Sequence, residues 1–152
     1  MSAGAFAPGR PAVVLLVEDN ENDVELTRLG FLRSKLAVDL HHVGNGEECL
    51  GYLRKEGPYA KSPTPDLILL DLNMPRMDGL QVLREVGQDE ALKHFPIVVL
   101  TSSKSDEEVT KSYKLRCSSY LVKPIDFDGF AQMIRSLNDY WFTLVVLPPK
   151  VG

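Results

Sequence analysis

A doubly wound α/β fold, a parallel sheet covered by helices on both faces, is what these 152 residues predict. Three observations carry that prediction. Short apolar runs alternate with longer segments of helical length along most of the chain. The strongest runs are continuous rather than alternating, as strands buried on both faces require. Glycine and proline stand at the joints, in Gly44-Asn45-Gly46, Pro63-Thr64-Pro65, Pro75, Pro96 and Pro124.

The first run, Val13 to Val17 (VVLLV), is β-branched and leucine-rich, and a helix is expected after it at about 21–36. At 100° per residue Val24, Phe31 and Leu32 share one arc of that helix, which leaves Leu26 exposed on the far side. Val38 to Val43 (VDLHHV) is a weaker strand, followed by a helix at about 46–56 and the loop Gly57 to Pro65. Leu67 to Leu70 (LILL) and Ile97 to Leu100 (IVVL) are strong strands, each preceding a helix, at about 79–93 and about 105–116. Tyr120 to Val122 is the last and weakest strand, before a helix at about 126–142. Parallel strands joined by helices imply right-handed crossovers. No internal repeat or low-complexity tract interrupts the series. Three units are expected: a loose tail over 1–11, a folded domain over 12–139 and an apolar extension over 140–152.

Composition narrows the function. Seventeen basic and 21 acidic residues give a net charge of −4. That balance argues against nucleic acid, whose phosphates need a clustered positive field. Cys49 and Cys117 form neither a CxxC pair nor a secreted disulfide framework, which favours a reducing compartment. The apolar run Ala12 to Val17 is too short for a secretory core and ends in acids. Nothing approaches the roughly 18 apolar residues of a membrane span. A cytoplasmic protein with no membrane partner is expected. His41, His42 and His94 lack metal spacing and read as surface or edge residues.

In an open parallel sheet, ligands gather at the carboxyl ends of the strands. Here those ends carry Glu18-Asp19-Asn20, then Asp71 with Leu72-Asn73 behind it, then Thr101-Ser102-Ser103, then Lys123-Pro124. Acids, a hydroxyl and a lysine therefore converge on one edge. Crowded carboxylates resist shared ionisation, and a divalent cation relieves the repulsion. Oxygen ligands with a water-rich octahedral shell suit Mg²⁺. A carboxylate is also a nucleophile for a phosphoryl group, whose spread negative charge calls for cations and donors around it.

These motifs, VEDN at 17–20, DLNMPRMDG at 71–79, VVLTSS at 98–103 and LVKP at 121–124, resemble the receiver domains of two-component response regulators. The resemblance spans about Val13 to about Leu137. It implies a flavodoxin-like (βα)5 sheet of strand order 2-1-3-4-5. It also implies Asp71 as phosphoacceptor, and Mg²⁺ held by Glu18 (through water), Asp19, Asp71 and the backbone carbonyl of Asn73. Thr101 and Lys123 would engage the phosphoryl oxygens, Lys123-Pro124 would be cis, and Tyr120 would turn inward as Thr101 moves. The partner implied is a sensor histidine kinase, which docks beside Asp19 and so near Leu26. A closer likeness, to stand-alone regulators of bacterial phytochromes, rests on EDNENDVEL, on PTPDLILLDLNMP and on the C-terminal YWFTLVVLP. Two departures stand out: Glu18 where many members have aspartate, and Cys49 where a small alanine is common.

The expected function is therefore a phospho-accepting signalling module that acts through its own surfaces, not an enzyme. An aspartyl-phosphate phosphatase would want a second acid two residues after the nucleophile, and Asn73 stands there. A flavin or nucleotide site would want a glycine-rich loop where Glu18-Asp19-Asn20-Glu21 would repel phosphate. The apolar segment from Tyr140 to Leu147, with Trp141, Phe142, Leu144 and Val145, predicts a homodimer.

Overall fold

The computed structural model describes residues 11–34, 37–74, 77–102, 106–115, 117–124 and 126–137. Five parallel strands are β1 (Ala12–Val17), β2 (Val38–Val43), β3 (Leu67–Leu70), β4 (Ile97–Thr101) and β5 (Ser119–Val122). They lie in the order β2-β1-β3-β4-β5. Each is followed by a helix: α1 (Glu21–Arg33), α2 (Gly46–Leu53), α3 (Gly79–Gln88), α4 (Asp106–Lys114) and α5 (Phe127–Leu137). This is the flavodoxin-like arrangement that the resemblance to receiver domains implies.

The sheet splits the core by strand periodicity. Leu15, Val17, Ile68, Leu70 and Val99 face α2 and α3, while Ala12, Val14, Leu16, Leu67, Leu69 and Val98 face α1 and α5. Successive side chains of a strand point to opposite faces, so a strand covered on both must be apolar throughout. All residues of β1 and β3 are buried accordingly. The two weak strands are the sheet's edges. Strand β2 keeps only Val43 fully buried and β5 is partly exposed along its length, which is why both tolerate polar residues. Asp66 fastens the start of the central pair. Its backbone N–H donates to the Val13 carbonyl at 2.7 Å, and its carboxylate accepts from the Val13 N–H at 2.8 Å.

Helix ends depart from the periodicity for identifiable reasons. Helix α2 stops at Leu53 because Lys55 adopts a left-handed φ of 57°. The Glu56 N–H then bonds the Gly51 carbonyl and the Lys55 N–H the Tyr52 carbonyl, closing a Schellman turn without its usual glycine. Helix α3 stops at Gln88 because Asp89 is extended and starts a separate turn, accepting from the Ala91 N–H. The buried arc of α1 also differs from expectation. It is built from Val24, Thr27, Gly30 and Phe31; Leu32 is 73% exposed, Leu29 is exposed as well, and Leu26 is half-buried. Helix α5 crosses α1 at Gly30, where a Cβ would stand 2.9 Å from Ile134 Cγ1. A small residue allows that approach, and hydrophobic periodicity does not register it.

Gly79 opens α3 against the loop that follows β3, and its N–H donates to the Leu72 carbonyl at 3.0 Å. A Cβ there would lie 2.6 Å from both the Asp71 carbonyl oxygen and Leu72 Cα, which are backbone atoms that cannot rotate away. Gly79→Ala should therefore destabilise the protein by about 1–3 kcal/mol, the usual cost of overpacking. Urea unfolding checks this; an unchanged midpoint would show that the loop yields freely.

Candidate functional site

The carboxyl ends of the strands bring Glu18, Asp19, Asp71 and Lys123 together. Strand β1 ends at Val17, and the chain turns immediately. The Glu18 N–H still pairs with the Val43 carbonyl at 3.1 Å, and the Asp71 N–H with the Val17 carbonyl at 3.0 Å. Both acids are thus held by the last rungs of the sheet. Glu18 is 1% and Asp71 4% exposed, whereas Asp19 faces solvent. Carboxylate oxygens of Glu18, Asp19 and Asp71 all lie within 4.8 Å of one another. Asn20 caps α1, its Oδ1 accepting from the Asp23 N–H at 3.0 Å, so Asp19 is left out of the cap.

Lys123, just past β5, enters this group. Its Nζ lies 2.7 Å from Glu18 Oε1, 2.8 Å from Asp23 Oδ2 and 3.5 Å from Asp71 Oδ2. The other Glu18 oxygen accepts from the Asn20 N–H at 3.2 Å, and Asp71 Oδ1 accepts from the Asn73 N–H at 3.2 Å. Burial, aided by the negative charge of Asp71, pushes the Glu18 carboxyl up to about 7, although Lys123 pulls it down. For Lys123 burial works to lower the pKa, but the hydrogen bonds to Asp23 and Glu18 outweigh it and hold the ammonium above its usual range. A group of hard oxygen donors with one cation among three carboxylates fits a divalent metal ion. Glu18, Asp19 and Asp71 are the side chains that would hold it.

Thr101 ends β4 and pairs with Val122, one residue before Lys123, so its backbone is at the same edge; its side chain lies outside those described. Tyr120 is half-buried on β5 and packs against the core face that carries α2 and α3. No peptide bond among the described residues is cis, so Lys123-Pro124 is trans, contrary to the expectation from resemblance. Tertiary amides prefer trans by roughly 0.5–1 kcal/mol, and Lys123 reaches all three carboxylates from that isomer. The expected dimer segment Tyr140 to Leu147 and Pro75 lie outside the described residues. Burial pushes the thiols of Cys49 and Cys117 up to about 12 and about 11, which leaves them unreactive.

Two residues of the site escape sequence reasoning. Asp23 sits in the first turn of α1, where an acid reads as an ordinary dipole partner. Nothing local marks its bond to a lysine 100 residues away. His42, expected as a bland edge residue, donates from Nε2 to the Glu18 carbonyl at 2.7 Å, just where that carbonyl leaves the sheet.

Comparison with known proteins identifies the family of this fold. The model of the response regulator receiver domain matches residues 14–135. The chain is 38% identical over 138 residues to the response regulator Rcp1 of Synechocystis sp., covering 91% of this chain and 94% of that one. The crystal structure of the phosphorylated cyanobacterial phytochrome response regulator RcpA superposes with a TM-score of 0.87 at 36% identity, over 92% of this chain and all of the other. The Mn²⁺-bound form of Rcp1 superposes with a TM-score of 0.84 at 37% identity, over 91% of this chain and all of the other.

The Glu18 carboxyl gives a pH signature. Without metal it keeps its proton up to about 7 in the folded protein, against an ordinary value of 4.5. Between those values the folded state binds more protons than the unfolded chain, so stability falls as pH rises across that window. Glu18→Gln should lift this penalty. In urea unfolding with a chelator present, the variant should gain more over the parent at pH 8 than at pH 5. Equal gains at both pH values would show that Glu18 is not the titrating group.

Proposed function

The chain belongs to the response regulator receiver domain family, and from that premise we propose a phospho-accepting regulator switched by a sensor histidine kinase of the phytochrome class. The observation that supports this most is the placement of Asp71. Its carboxylate is buried at the sheet's carboxyl edge, with the Lys123 ammonium on one oxygen and the Asn73 N–H on the other. An oxygen of Asp71 forms the new P–O bond as the P–N bond to the kinase histidine breaks. Lys123 meets the charge that gathers on the phosphoryl oxygens, and Thr101, from the neighbouring strand end, adds a hydroxyl. Glu18 (through water), Asp19, Asp71 and the Asn73 carbonyl would hold Mg²⁺, which would supply the remaining charge neutralisation. The new bonds to Thr101 and Lys123 shift a pre-existing equilibrium, in which Tyr120 on β5 turns inward. With Asn73 where a general acid would stand, the phosphate is held and only slowly lost, so the protein is a signalling module and not an enzyme.

Incubation with Mg²⁺ and acetyl phosphate, followed by intact mass, tests the central step. One added phosphate, labile to hydroxylamine, is expected on the parent and none on Asp71→Asn. The variant should remain folded, because losing one of several crowded charges relieves repulsion. Phosphate uptake by the variant at the parental rate would remove Asp71 as the acceptor.

Within this reading residues 12–139 are the receiver, acting in the cytoplasm, and 140–152 an extension that joins two copies. Among the described residues no helix is long and apolar enough to cross a membrane. Trp141, Phe142, Leu144, Val145 and Leu147 would each gain on the order of 1.5–3 kcal/mol on full burial. A twofold axis is the default for such a self-complementary patch. Truncation after Asn138 should convert a dimer to a monomer in light scattering at several concentrations. A monomeric full-length chain at high micromolar concentration would end the dimer proposal, and a truncated chain that still dimerises would move the interface elsewhere.

A further inference from the structure

We infer that Asp23 is a positioning residue for Lys123, and that it lets the acidic cluster accept a divalent cation without expelling the lysine. Three observations carry this. Asp23 Oδ2 makes a 2.8 Å bond to Lys123 Nζ, nearly as short as the 2.7 Å contact with Glu18. The Asp23 side chain is only 19% and that of Lys123 only 10% exposed, so both are shielded from water. Among the described residues Asp23 is also the one carboxylate touching Lys123 that stands outside the group able to share a cation, Glu18, Asp19 and Asp71.

The consequence comes from counting partners. Lys123 and a cation compete for the same oxygens of Glu18 and Asp71. When Glu18 turns to a cation, Lys123 gives up its 2.7 Å bond there. Asp23 then keeps the ammonium paired and beside Asp71. Without Asp23, every carboxylate among the described residues within reach of Lys123 would also be a ligand of the cation. The ammonium would then either stay on those oxygens and repel the cation or lie shielded with no carboxylate of its own, and both outcomes are costly. The ordinary role of a first-turn acid, favouring the helix dipole, requires only exposure at the helix end. It does not explain a shielded side chain aimed at the far strand.

This rests on the reading of the acidic cluster as a cation site, and Mn²⁺ is the probe. Its affinity for the full chain is measured by electron paramagnetic resonance, with folding followed by thermal melts. Asp23→Asn and Asp23→Ser, both small neutral substitutions, should weaken Mn²⁺ binding about tenfold, the scale of one charge-assisted hydrogen bond. In a Lys123→Met background the same changes should cost less than about twofold, because no ammonium remains to be placed. Equal weakening in both backgrounds would show that Asp23 acts merely as a nearby charge and overturn the inference, as would unchanged affinity in the parent background. A second measurement needs no Lys123 variant: the effect should persist at 0.5 M salt, roughly, where the Debye length is only about 4 Å and a through-solvent charge effect vanishes. Phosphate uptake by the parent is scored separately. Its failure would sink the phosphoacceptor reading while leaving the Mn²⁺ comparison intact.

Discussion

One ammonium group among three carboxylates organises the functional edge of this protein. Lys123 Nζ lies within 3.5 Å of oxygens from Glu18, Asp23 and Asp71, and all of these side chains are largely withdrawn from water. Removing a charge from water is expensive unless it is paired and hydrogen-bonded. A single lysine cannot neutralise Glu18, Asp71 and Asp23 together, so among the described residues the metal-free edge retains unbalanced negative charge. The protonation of Glu18 near neutrality is one response to that excess, and a bound divalent cation is another. The same imbalance that penalises the fold is what a divalent cation would relieve.

The fold sustains this edge because the strands beneath it are rigid. Strands β1 and β3 are buried on both faces and paired side by side, and Asp66 ties their starting ends. Glu18 and Asp71 then occupy the first positions past the core, where the backbone is still held by sheet bonds but the side chains need no longer be apolar. At these strand ends buried apolar residues and buried acids are adjacent in sequence, Val17 with Glu18 and Leu70 with Asp71. That is why the acidic cluster sits there.

The central strands, the strand-end acids and Lys123 are legible in the sequence because each depends on a local pattern: a continuous apolar run and the residues just past its end. The misreadings share a different cause. Periodicity puts Leu32 in the buried arc of α1 and Leu26 outside it, because Gly30 and Thr27, which belong to the buried face, carry no hydrophobic signal. The end of α2 is hidden by Lys55, which fills the left-handed position where glycine would have announced a stop. Asp23 and His42 are invisible for a related reason. Each acquires its role from a partner on another strand or past its end, and no spacing in the chain encodes that pairing.

His42 shows how an edge strand contributes to the site without joining it. The Glu18 N–H is the last to pair with β2, through the Val43 carbonyl, and the Glu18 carbonyl beyond it has no strand to face. A backbone acceptor beside a buried carboxylate needs a donor, because an unpaired one would add its own desolvation cost to that of the acid. The His42 ring reaches across from β2 to supply it at 2.7 Å. The polar residues that make β2 a weak strand by pattern are thus compatible with, and in this instance required by, its position. An apolar residue at 42 would strengthen the strand signal while leaving the Glu18 carbonyl without its partner.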